Sequence, residues 1–412
     1  MTNVTHPFGL RKLSNFFFTV TIILVNIARI YHSPKMFQDN PFLMTVFILF
    51  ALSAAVQLFY FLYFYLAVPI HRHPDASEVT EKKPASVIIC ARNESVNLRN
   101  FLPAVLEQNH PGYEVIVVND CSEDDTYNVL GEYLLKYPHL RISNVNKDPK
   151  FTHNKKFAQF IGIKASVNDI LVFTDADCRP ESPDWLSGMT SHFDQGTDFV
   201  LGYGGFIRTR GFLNRYIRYD TMTIALQYLG MAIRGIPYMG VGRNLAYRRK
   251  IFFDNKGFGA HNHVISGDDD LFINSNAGRN NTRVEFRKEN HTRSVPAASF
   301  EEWVKQKKRH FKTARYYKAR DIFLLMSEPF TRILFHASFI VLIANLFLWP
   351  YILAIFGLRL IAFLSLIILG QKALNERGLV FYSVFFDIFS PLINSMIYLS
   401  NTLSKSTKNQ WK

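Results

Sequence analysis

Residues 170–178 read ILVFTDADC, and this stretch decides the fold of the chain. A short apolar run bounded by polar residues is typical of a strand buried in a parallel sheet. The carboxylates of Asp175 and Asp177 then lie at the C-terminal edge of the sheet, where open α/β sheets bind their ligands. Residues two apart on an extended chain point the same way, so both carboxylates can approach one ion.

Two carboxylates this close repel each other unless a cation or a proton lies between them. Proteins hold Mg²⁺ with one or two carboxylates together with phosphate oxygens. The pair Asp175 and Asp177 therefore predicts a site for a divalent cation and a diphosphate.

Strands and helices alternate around this stretch. ASVIICARNES (85–95) is predicted to be a strand followed by a polar turn, further strands are predicted at EVIVVND (114–120) and 140–144, and helices at 98–108, 126–137 and 154–165. This alternation predicts a parallel, doubly wound sheet. Farther along, the sequence predicts a glycine-rich strand at 198–206, an amphipathic helix at 213–232, and at 240–253 (GVGRNLAYRRKIFF) a loop followed by a strand or helix.

Polar residues that follow the first two strands face the same crevice as the Asp-x-Asp pair. Arg92 and Glu94 follow the first strand, and Asp120 ends the second. The carboxylate of Asp120 either binds a base or ribose or caps the turn formed by the SEDDT that comes next. Lys155 or Lys156 is expected to oppose a phosphate, or to lie solvated on its helix.

A third acidic group, SGDDDLF (266–272), precedes a predicted helix. One of its carboxylates can serve as a general base, and acidic neighbours favour that role because like charges raise a carboxyl pKa. Part of the charge also suits a helix N-terminus.

Long apolar stretches lie at both ends of the chain. Phe42 to Val68 carries no charge and exceeds the roughly 20 residues that cross a bilayer, so it is predicted to be a transmembrane helix. Further membrane segments are predicted as two spans that meet at Pro350 (333–349 and 351–369), a third that contains Asp387 (379–400), and an N-terminal stretch that crosses the membrane or lies on its surface (13–30).

The formal net charge of +14 is concentrated beside these spans, which argues against a nucleic-acid partner. The basic residues are Lys82, Lys83, Lys305, Lys307, Lys308, Arg309, Lys312, Arg315, Lys318 and Arg320. Positive residues near spans stay cytoplasmic and bind anionic lipid head groups. The central domain is therefore predicted to face the cytosol, although three C-terminal spans would place Lys405, Lys408 and Lys412 on the other side. The scarce cysteines, 3 in all, fit a reducing compartment.

The order of ARNE, VVNDCSEDDT, FTDADCRP, SGDDDL and QKKRH resembles that of the membrane-bound glycosyltransferases of family 2, over about residues 85–317. This family includes the synthases of cellulose, chitin, hyaluronan and poly-N-acetylglucosamine. The resemblance implies a GT-A fold, which is a Rossmann-like α/β nucleotide-diphospho-sugar transferase domain, flanked here by transmembrane helices. It also implies an inverting reaction.

Roles carried over from the resemblance are expectations for individual residues. Nucleotide-sugar binding is expected of Ala91, Arg92, Glu94, Asp120, Lys156 and Asp175, and metal binding, to Mg²⁺ or Mn²⁺, of Asp177. Alignment on Asp270 places Asp268 at the position of the family's general base. Gly267 stands where the family has Glu, and because of this departure Asp269 is an alternative candidate for the base.

The family motif Gln-x-x-Arg-Trp is present as Gln306 to His310, so Gln306 and Arg309 are expected to stabilise the departing diphosphate. His310 replaces the tryptophan that stacks near the acceptor sugar, which argues against processive extrusion of a polymer. The remaining acceptor-proximal residues are expected to be Gly242, Arg243 and Asn244.

We interpret the chain as a multi-pass enzyme of a bacterial-type cytoplasmic (inner) membrane that transfers a hexosyl or N-acetylhexosaminyl group from a nucleotide-diphosphate sugar to a lipid-linked or glycan acceptor. Its predicted parts are an N-terminal membrane region (1–70), a catalytic domain (84–299), a basic interface helix (300–320) and a C-terminal membrane region of two or three helices (330–402). The alternatives are a processive synthase, a nucleotidyltransferase, and a membrane scaffold or transporter subunit with an inactive transferase-like domain.

Overall fold

The computed structural model describes residues 40–73, 83–147, 154–259, 264, 267 and 269–403. The predicted N-terminal segment at 13–30 and the candidate base Asp268 lie outside these residues. The chain forms two compact units. Of the described residues, one unit combines those up to Phe59 with Phe330–Leu360, and the other, which contains the predicted catalytic domain, combines those of Tyr60–Pro329 with those from Ile361 onward.

The strands of the second unit form two sheets. They are β1 (Ala85–Ala91), β2 (Tyr113–Asp120), β3 (Leu140–Val145), β4 (Ile170–Asp175), β5 (Cys178–Pro180), β6 (Phe199–Gly202), β7 (Gly204–Phe206), β8 (Leu245–Arg248), β9 (Thr282–Glu285) and β10 (Thr292–Ser294). The larger sheet has the order β3-β2-β1-β4-β8-β6-β9, and the smaller has the order β5-β10-β7.

Helices connect and cover these strands, and others lie at the ends of the chain. They are α1 (Pro41–Phe59), α2 (Ser95–Leu106), α3 (Thr126–Lys136), α4 (Lys155–Ala165), α5 (Trp185–Thr190), α6 (Phe212–Ile233), α7 (Arg249–Asp254), α8 (Asp270–Asn276), α9 (Phe300–Ala314), α10 (Ala319–Ala344), α11 (Trp349–Ala373) and α12 (Val380–Leu403).

The parallel half of the large sheet follows from the apolar strands of the first half of the domain. β1 pairs in parallel with both β2 and β4, and β2 pairs in parallel with β3. Val87, Val117 and Val172 are fully buried in the core beneath the helices. Because the strands run in one direction, their carboxyl ends, which carry Asp120 and Asp175, meet at one edge. The predicted α/β fold is confirmed in this respect.

The second half of the sheet differs from the predicted parallel order. β8 runs antiparallel to both β4 and β6. The segment at 198–206 is two strands in different sheets, not one. The side-chain amide of Asn244 donates to the main-chain oxygen of Tyr203 over 2.9 Å, at the residue where one sheet gives way to the other.

The predicted basic helix at 300–320 ends earlier, at Ala314. The residues that follow are tied to α8 instead. The hydroxyl of Tyr317 donates to Asp270 over 2.8 Å, and the main-chain N–H of Lys318 donates to the side chain of Asn274 over 3.0 Å.

Among the described residues, four helices are long and apolar enough to cross a membrane: Pro41–Ala67, Ala319–Ala344, Trp349–Ala373 and Val380–Asn401. The turn predicted at Pro350 lies just before it. Leu346 and Leu348 have positive φ values of 50° and 48° there. Pro350 itself lies in the first turn of α11, where proline is tolerated because the missing N–H has no partner within the helix.

Candidate active site at the carboxyl edge of the sheet

The loops that follow β1 and β2 are held together by hydrogen bonds. The N–H of Glu123 donates to Oδ1 of Asn93 over 2.7 Å, and the N–H of Asn93 donates to the hydroxyl of Ser122 over 3.0 Å. Asn93 and Cys121 both have a φ of 55°, a left-handed conformation that side chains rarely adopt. Such conformations concentrate at binding sites, where the surrounding structure holds them.

Asp120 lies fully buried at the end of β2, beside these loops. The acidic run after it forms the turn that was the structural alternative for Asp120, since Oδ1 of Asp124 accepts a hydrogen bond of 3.0 Å from the N–H of Thr126. Asp124 accepts from the N–H of Ser95 over 3.1 Å and from the hydroxyl of Thr126 over 2.5 Å. Because Asp124 fills that role, the site role remains open for Asp120.

Ala91, Arg92 and Glu94 follow one another at the end of β1. Ala91 is fully buried. Glu94 accepts a hydrogen bond of 2.6 Å from the side-chain amide of Asn97, which orients its carboxylate. The guanidinium Nε of Arg92 is buried and has no hydrogen-bond partner within the described part of the chain.

The Asp-x-Asp pair extends from β4 into β5. One ligand atom each from Asp175, Asp177 and Cys178 lies within 4.8 Å of the others. Lys155, the first residue of α4, reaches the pair: its Nζ lies 2.7 Å from Oδ1 of Asp175. Lys156, the lysine expected to oppose a phosphate, is buried, and its Nζ donates to the main-chain oxygen of Val264 over 2.9 Å. The structure thus brings Lys155, and not Lys156, to the carboxylates.

The two carboxylates differ in their electrostatic surroundings. Desolvation raises the pKa of Asp175, but the charge and hydrogen bond of Lys155, with the charges of Arg243 and Arg309, outweigh it and lower that pKa. Burial and then the charge of Asp175 raise the pKa of Asp177. The positive charges of the protein near Asp177 thus do not compensate its own negative charge, as expected of a carboxylate that binds a cation.

The donor set fits Mg²⁺ or Mn²⁺. Carboxylate oxygens are ligands for hard cations. Ser294 on β10 donates a hydrogen bond of 2.9 Å to Oδ2 of Asp177 and fixes its orientation. Burial, followed by the charges of Asp177 and Asp175, raises the pKa of the Cys178 thiol well above its usual range, so it stays protonated and is a poor ligand.

Of the acidic residues 268–270, Asp269 contacts the loop that lies beside the Asp-x-Asp pair. Its Oδ2 accepts a hydrogen bond of 2.7 Å from the N–H of Gly242, and its Oδ1 caps α8. A Cβ on Gly242 would lie 3.1 Å from that Oδ2, so a larger residue would push the carboxylate of Asp269 aside, and 3.5 Å from Nζ of Lys155, which is ordinary contact. Asp269 and Lys155 therefore line the same cleft as Asp175.

Asp270 has a different function from its neighbours. It is buried, and its Oδ2 accepts hydrogen bonds from Thr313 over 2.5 Å and from Tyr317 over 2.8 Å. These bonds attach the end of α9 to the start of α8. Asp270 thereby positions the helix that carries the Gln-x-x-Arg motif relative to the acidic triplet.

Two of the residues expected near the acceptor have distinct surroundings. Arg243 donates to the main-chain oxygen of Gly204 over 2.9 Å and lies over the ring of Phe206, and its charge acts on both Asp175 and Asp177. Asn244, the other of these residues, lies in the core. It is fully buried, its amide donates to the main-chain oxygens of Tyr203 and Asn290, and it accepts from Trp185, so it supports the fold.

Helix α9 carries Gln306 and Arg309 one turn apart, so they lie on the same face. The side chain of His310 reaches solvent in part, but protein atoms surround its imidazole ring. Desolvation, and then the positive charges of Lys307, Arg309 and Arg243, lower its pKa to about 4, so its imidazole is neutral at physiological pH.

Lys307 anchors this helix in a way that the sequence did not predict. It is buried, and its Nζ lies 2.7 Å from Asp220 of α6 and 5.7 Å from the ring centres of Trp303 and Phe311. The spacing of Lys307 from two aromatic residues on one helix could have indicated that it is buried. Its partner Asp220 could not be identified, because it is distant in sequence. Ser294 was missed for the same reason.

Comparison with known proteins agrees with this geometry. Residues 86–254 match the model of glycosyl transferase family 2. Glycosyltransferase AglE of Haloferax volcanii is 32% identical over 187 residues, which are 45% of this chain and 58% of that protein. Probable glycosyltransferase YdaM of Bacillus subtilis is 30% identical over 184 residues, 42% of each protein. The matched region thus spans about half the length of these curated relatives.

Among solved structures, the chain is similar to mannosyltransferase PcManGT from Pyrobaculum calidifontis, determined in complex with GDP-Man and Mn²⁺. The TM-score is 0.59, and the match covers 88% of this chain and 99% of that one. At 17% sequence identity this likeness shows the fold.

Proposed function

Because residues 86–254 match the model of glycosyl transferase family 2 and the chain is similar to glycosyltransferase AglE, we propose that it is a glycosyltransferase of this family, which transfers a sugar from a nucleotide-diphosphate sugar to a membrane-proximal acceptor and inverts the anomeric carbon. The observation that carries this proposal is the convergence of opposite charges in one cleft. Lys155 contacts Asp175 directly, and the charges of Arg243 and Arg309 act on the same carboxylate. A carboxylate pair ringed by cations suits a diphosphate held with a metal ion.

The nucleoside end of the donor would lie in the crevice beyond β1 and β2. Asp120 and Glu94 offer acceptors for ribose or base hydroxyl and amino groups, and Arg92 offers its buried Nε as a donor. This crevice lies at the carboxyl edge of a parallel sheet, where such folds bind nucleotides.

The diphosphate end would lie against Asp177, Lys155, Arg243 and Arg309. Asp177, oriented by Ser294, would hold Mg²⁺ or Mn²⁺, and a divalent cation at this place neutralises charge on the departing diphosphate. PcManGT, which shares the fold, was solved with Mn²⁺ and a nucleotide sugar, which supports the same assignment here. Arg309 and Gln306 would donate to the leaving phosphate oxygens from α9.

A carboxylate of the acidic triplet would accept the proton of the acceptor hydroxyl. As the hydroxyl oxygen attacks the anomeric carbon, the bond to the phosphate oxygen breaks, and the nucleoside diphosphate leaves with the bonding electrons. Asp268 matches the family's base position, and it lies outside the described residues. The contact of Asp269 with Gly242 in the cleft favours Asp269 for this role.

The acceptor is proposed to be lipid-linked, because four helices near the catalytic domain in sequence can cross a membrane. The basic residues that flank the spans support a cytosolic catalytic domain in a cytoplasmic membrane. His310 in place of a stacking indole supports transfer of one sugar, or very few, per encounter. The sugar is proposed to be a hexose or an N-acetylhexosamine.

Purified full-length protein incubated with a panel of nucleotide sugars and Mn²⁺ tests this proposal. We expect one donor, or a small group that shares a base, to be hydrolysed slowly and to be consumed faster when lipid extract is added. Absence of turnover with every donor, by protein that melts cooperatively, would favour the inactive scaffold instead.

A further inference from the structure

Helix α12 is apolar enough to cross a membrane, yet its first half packs against the catalytic domain. The ring of Phe386 lies 5.2 Å from that of Phe212 and 5.1 Å from that of Tyr216, both on α6. The guanidinium of Arg215, also on α6, lies over the ring of Tyr382 at 4.8 Å. The beginning of α12 is thus fixed beside α6.

The other end of α12 contacts the same domain. The ring of Tyr398 lies 6.0 Å from that of Phe311, and the side-chain amide of Asn401 donates to the main-chain oxygen of Lys308 over 3.1 Å. Both partners belong to α9, the basic helix that carries Gln306 and Arg309.

These contacts place both ends of α12 beside the same charged helix, α9. Tyr216, which contacts the first half of α12, also contacts Trp303 of α9 at 5.1 Å. A helix that crosses a bilayer has roughly 30 Å of hydrocarbon between its ends. The charged helix α9 cannot lie in hydrocarbon, because buried unpaired charges are too costly there.

The turn that precedes α12 is anchored in the domain as well. Glu376 is buried, and its carboxylate accepts hydrogen bonds from Arg218, Arg293 and Tyr203. The bond from Arg218 Nε is 2.8 Å, and that from Tyr203 is 3.0 Å. Removal of one partner from a buried charge cluster is strongly destabilising, so this turn stays against the domain.

The two faces of α12 are arranged as in a helix that lies in the surface of a membrane. The face toward the protein buries Ser383, Phe386, Asp387, Ser390 and Ile397. The opposite face exposes a continuous apolar stripe: Phe381, Phe385, Ile388, Phe389, Leu392, Met396 and Leu399. These positions recur at helical spacing. Lys405, Lys408 and Lys412 follow in sequence, and positive charge suits anionic lipid head groups.

We propose that α12 does not cross the membrane but lies in its surface, with the apolar stripe in the lipid and the polar face on the catalytic domain. The partner of this surface is the bilayer on the side of the catalytic domain. The tail with Lys405, Lys408 and Lys412 then lies on that side too, which removes the conflict between three C-terminal spans and the placement of positive charge. Helix α9, and with it Arg309, is supported from the membrane side.

Cysteine labelling in intact cells tests the topology. Ser77→Cys marks the linker before the catalytic domain, Ser406→Cys marks the tail, and Asn345→Cys marks the turn between α10 and α11. The unaltered chain, with its own 3 cysteines, gives the background for a membrane-impermeant maleimide. We expect Ser406→Cys to react like Ser77→Cys and opposite to Asn345→Cys. Reaction of Ser406→Cys like Asn345→Cys would show that α12 crosses and would overturn the proposal.

Depth measurement in proteoliposomes tests the lipid contact separately. Nitroxides placed at Phe381, Leu392 and Leu399, which are 72%, 38% and 58% exposed, sample the start, middle and end of the stripe. With phosphatidylglycerol in the bilayer, we expect similar, shallow depths at all three sites from collisions with oxygen and a nickel chelate. A maximum of depth at Leu392 would indicate a span, and ready access of the nickel chelate to all three sites would exclude lipid; either result contradicts the proposal.

Discussion

The hydroxyl of Ser294 donates a hydrogen bond of 2.9 Å to Oδ2 of Asp177. This bond joins the small sheet, through β10, to the carboxylate proposed to hold the metal ion. The other carboxylate oxygen of Asp177, Oδ1, lies 3.3 Å from Sγ of Cys178. The bond from Ser294 therefore fixes the orientation of the carboxylate before a metal binds.

Ser294→Ala is expected to weaken metal binding without abolishing transfer. A hydrogen bond to a charged group contributes about 1.5–3 kcal/mol, so we expect the half-saturating Mn²⁺ concentration to rise roughly tenfold or more. Activity measured against Mn²⁺ concentration checks this. Ser187→Ala, which removes a hydroxyl bonded to the main chain of Asn109, is the matched control and should leave the metal requirement unchanged. An unaltered requirement in Ser294→Ala would argue against Asp177 as the ligand.

Asp269→Asn is expected to lower kcat by about 10² to 10⁴ with little change in KM for the donor, because only proton transfer is lost. Asparagine is also a good helix cap, so α8 should keep its N-terminus. Comparison with Asp268→Asn decides between the two candidates for the base. A larger loss in Asp268→Asn than in Asp269→Asn would return the role to Asp268.

Stability is expected to fall between pH 6.5 and pH 5 because of His291. This residue is fully buried, and burial, with the charge of Arg293 adding, lowers its pKa to about 3. The unfolded chain, with a histidine pKa near 6.5, binds the proton more tightly, so the stability is fully present above pH 6.5 and decreases as the pH falls toward 3. By pH 5 the loss is about 2 kcal/mol.

Melting temperatures in detergent at pH 8, 6.5 and 5 check this effect. His291→Gln should reduce the slope of melting temperature against pH. Some slope should persist, since burial lowers the pKa of His73 to about 4. Carboxyl groups whose pKa is lowered on folding add to the loss only below their unfolded pKa values, and the raised pKa of Asp177 acts in the opposite direction. A loss of stability above pH 5 is therefore attributable to the histidines. A slope in His291→Gln equal to that of the unaltered protein would contradict the assignment.

His310 is expected to make the reaction distributive. A neutral imidazole offers less apolar face than an indole, and a ring-stacking contact contributes only about 0.5–1.5 kcal/mol beyond area burial. With acceptor in large excess and at low conversion, we therefore expect products extended by one sugar or very few. His310→Trp should lengthen them. Long chains beside untouched acceptor, made by the unaltered protein, would indicate processive synthesis.

Much of the catalytic half of the fold was predictable because its strands are apolar runs that end in carboxylates. Asp120 and Asp175 lie where the pattern placed them, at the carboxyl ends of β2 and β4, the two parallel strands that flank β1. The antiparallel direction of β8 was not predictable, since strand direction depends on pairing across long sequence separations. The division between β6 and β7 depends in the same way on Asn244, which lies 41 residues from Tyr203.

Within the site, the short motifs predicted which types of residue would be present, but not which individual residues would contact each other. Lys155 and Lys156 are equivalent by composition, and only the rotation of α4 decides that Lys155 meets Asp175. Asn244 looked accessible because it follows Arg243 in a loop-like sequence, yet the fold buries its amide. Ser294, Asp220 and Glu376 acquire their functions from contacts that no local pattern encodes.

The central claim is metal-dependent transfer from a nucleotide-diphosphate sugar, and release of nucleoside diphosphate by the purified full-length protein tests it most directly. With its preferred donor and acceptor, we expect release in Mn²⁺ that stops in excess chelator, returns when Mn²⁺ is restored, and is absent in Asp177→Asn. Asp184→Asn, which changes an exposed aspartate outside the cleft, should release the product normally. Equal release by Asp177→Asn, or full activity in excess chelator, would contradict the account.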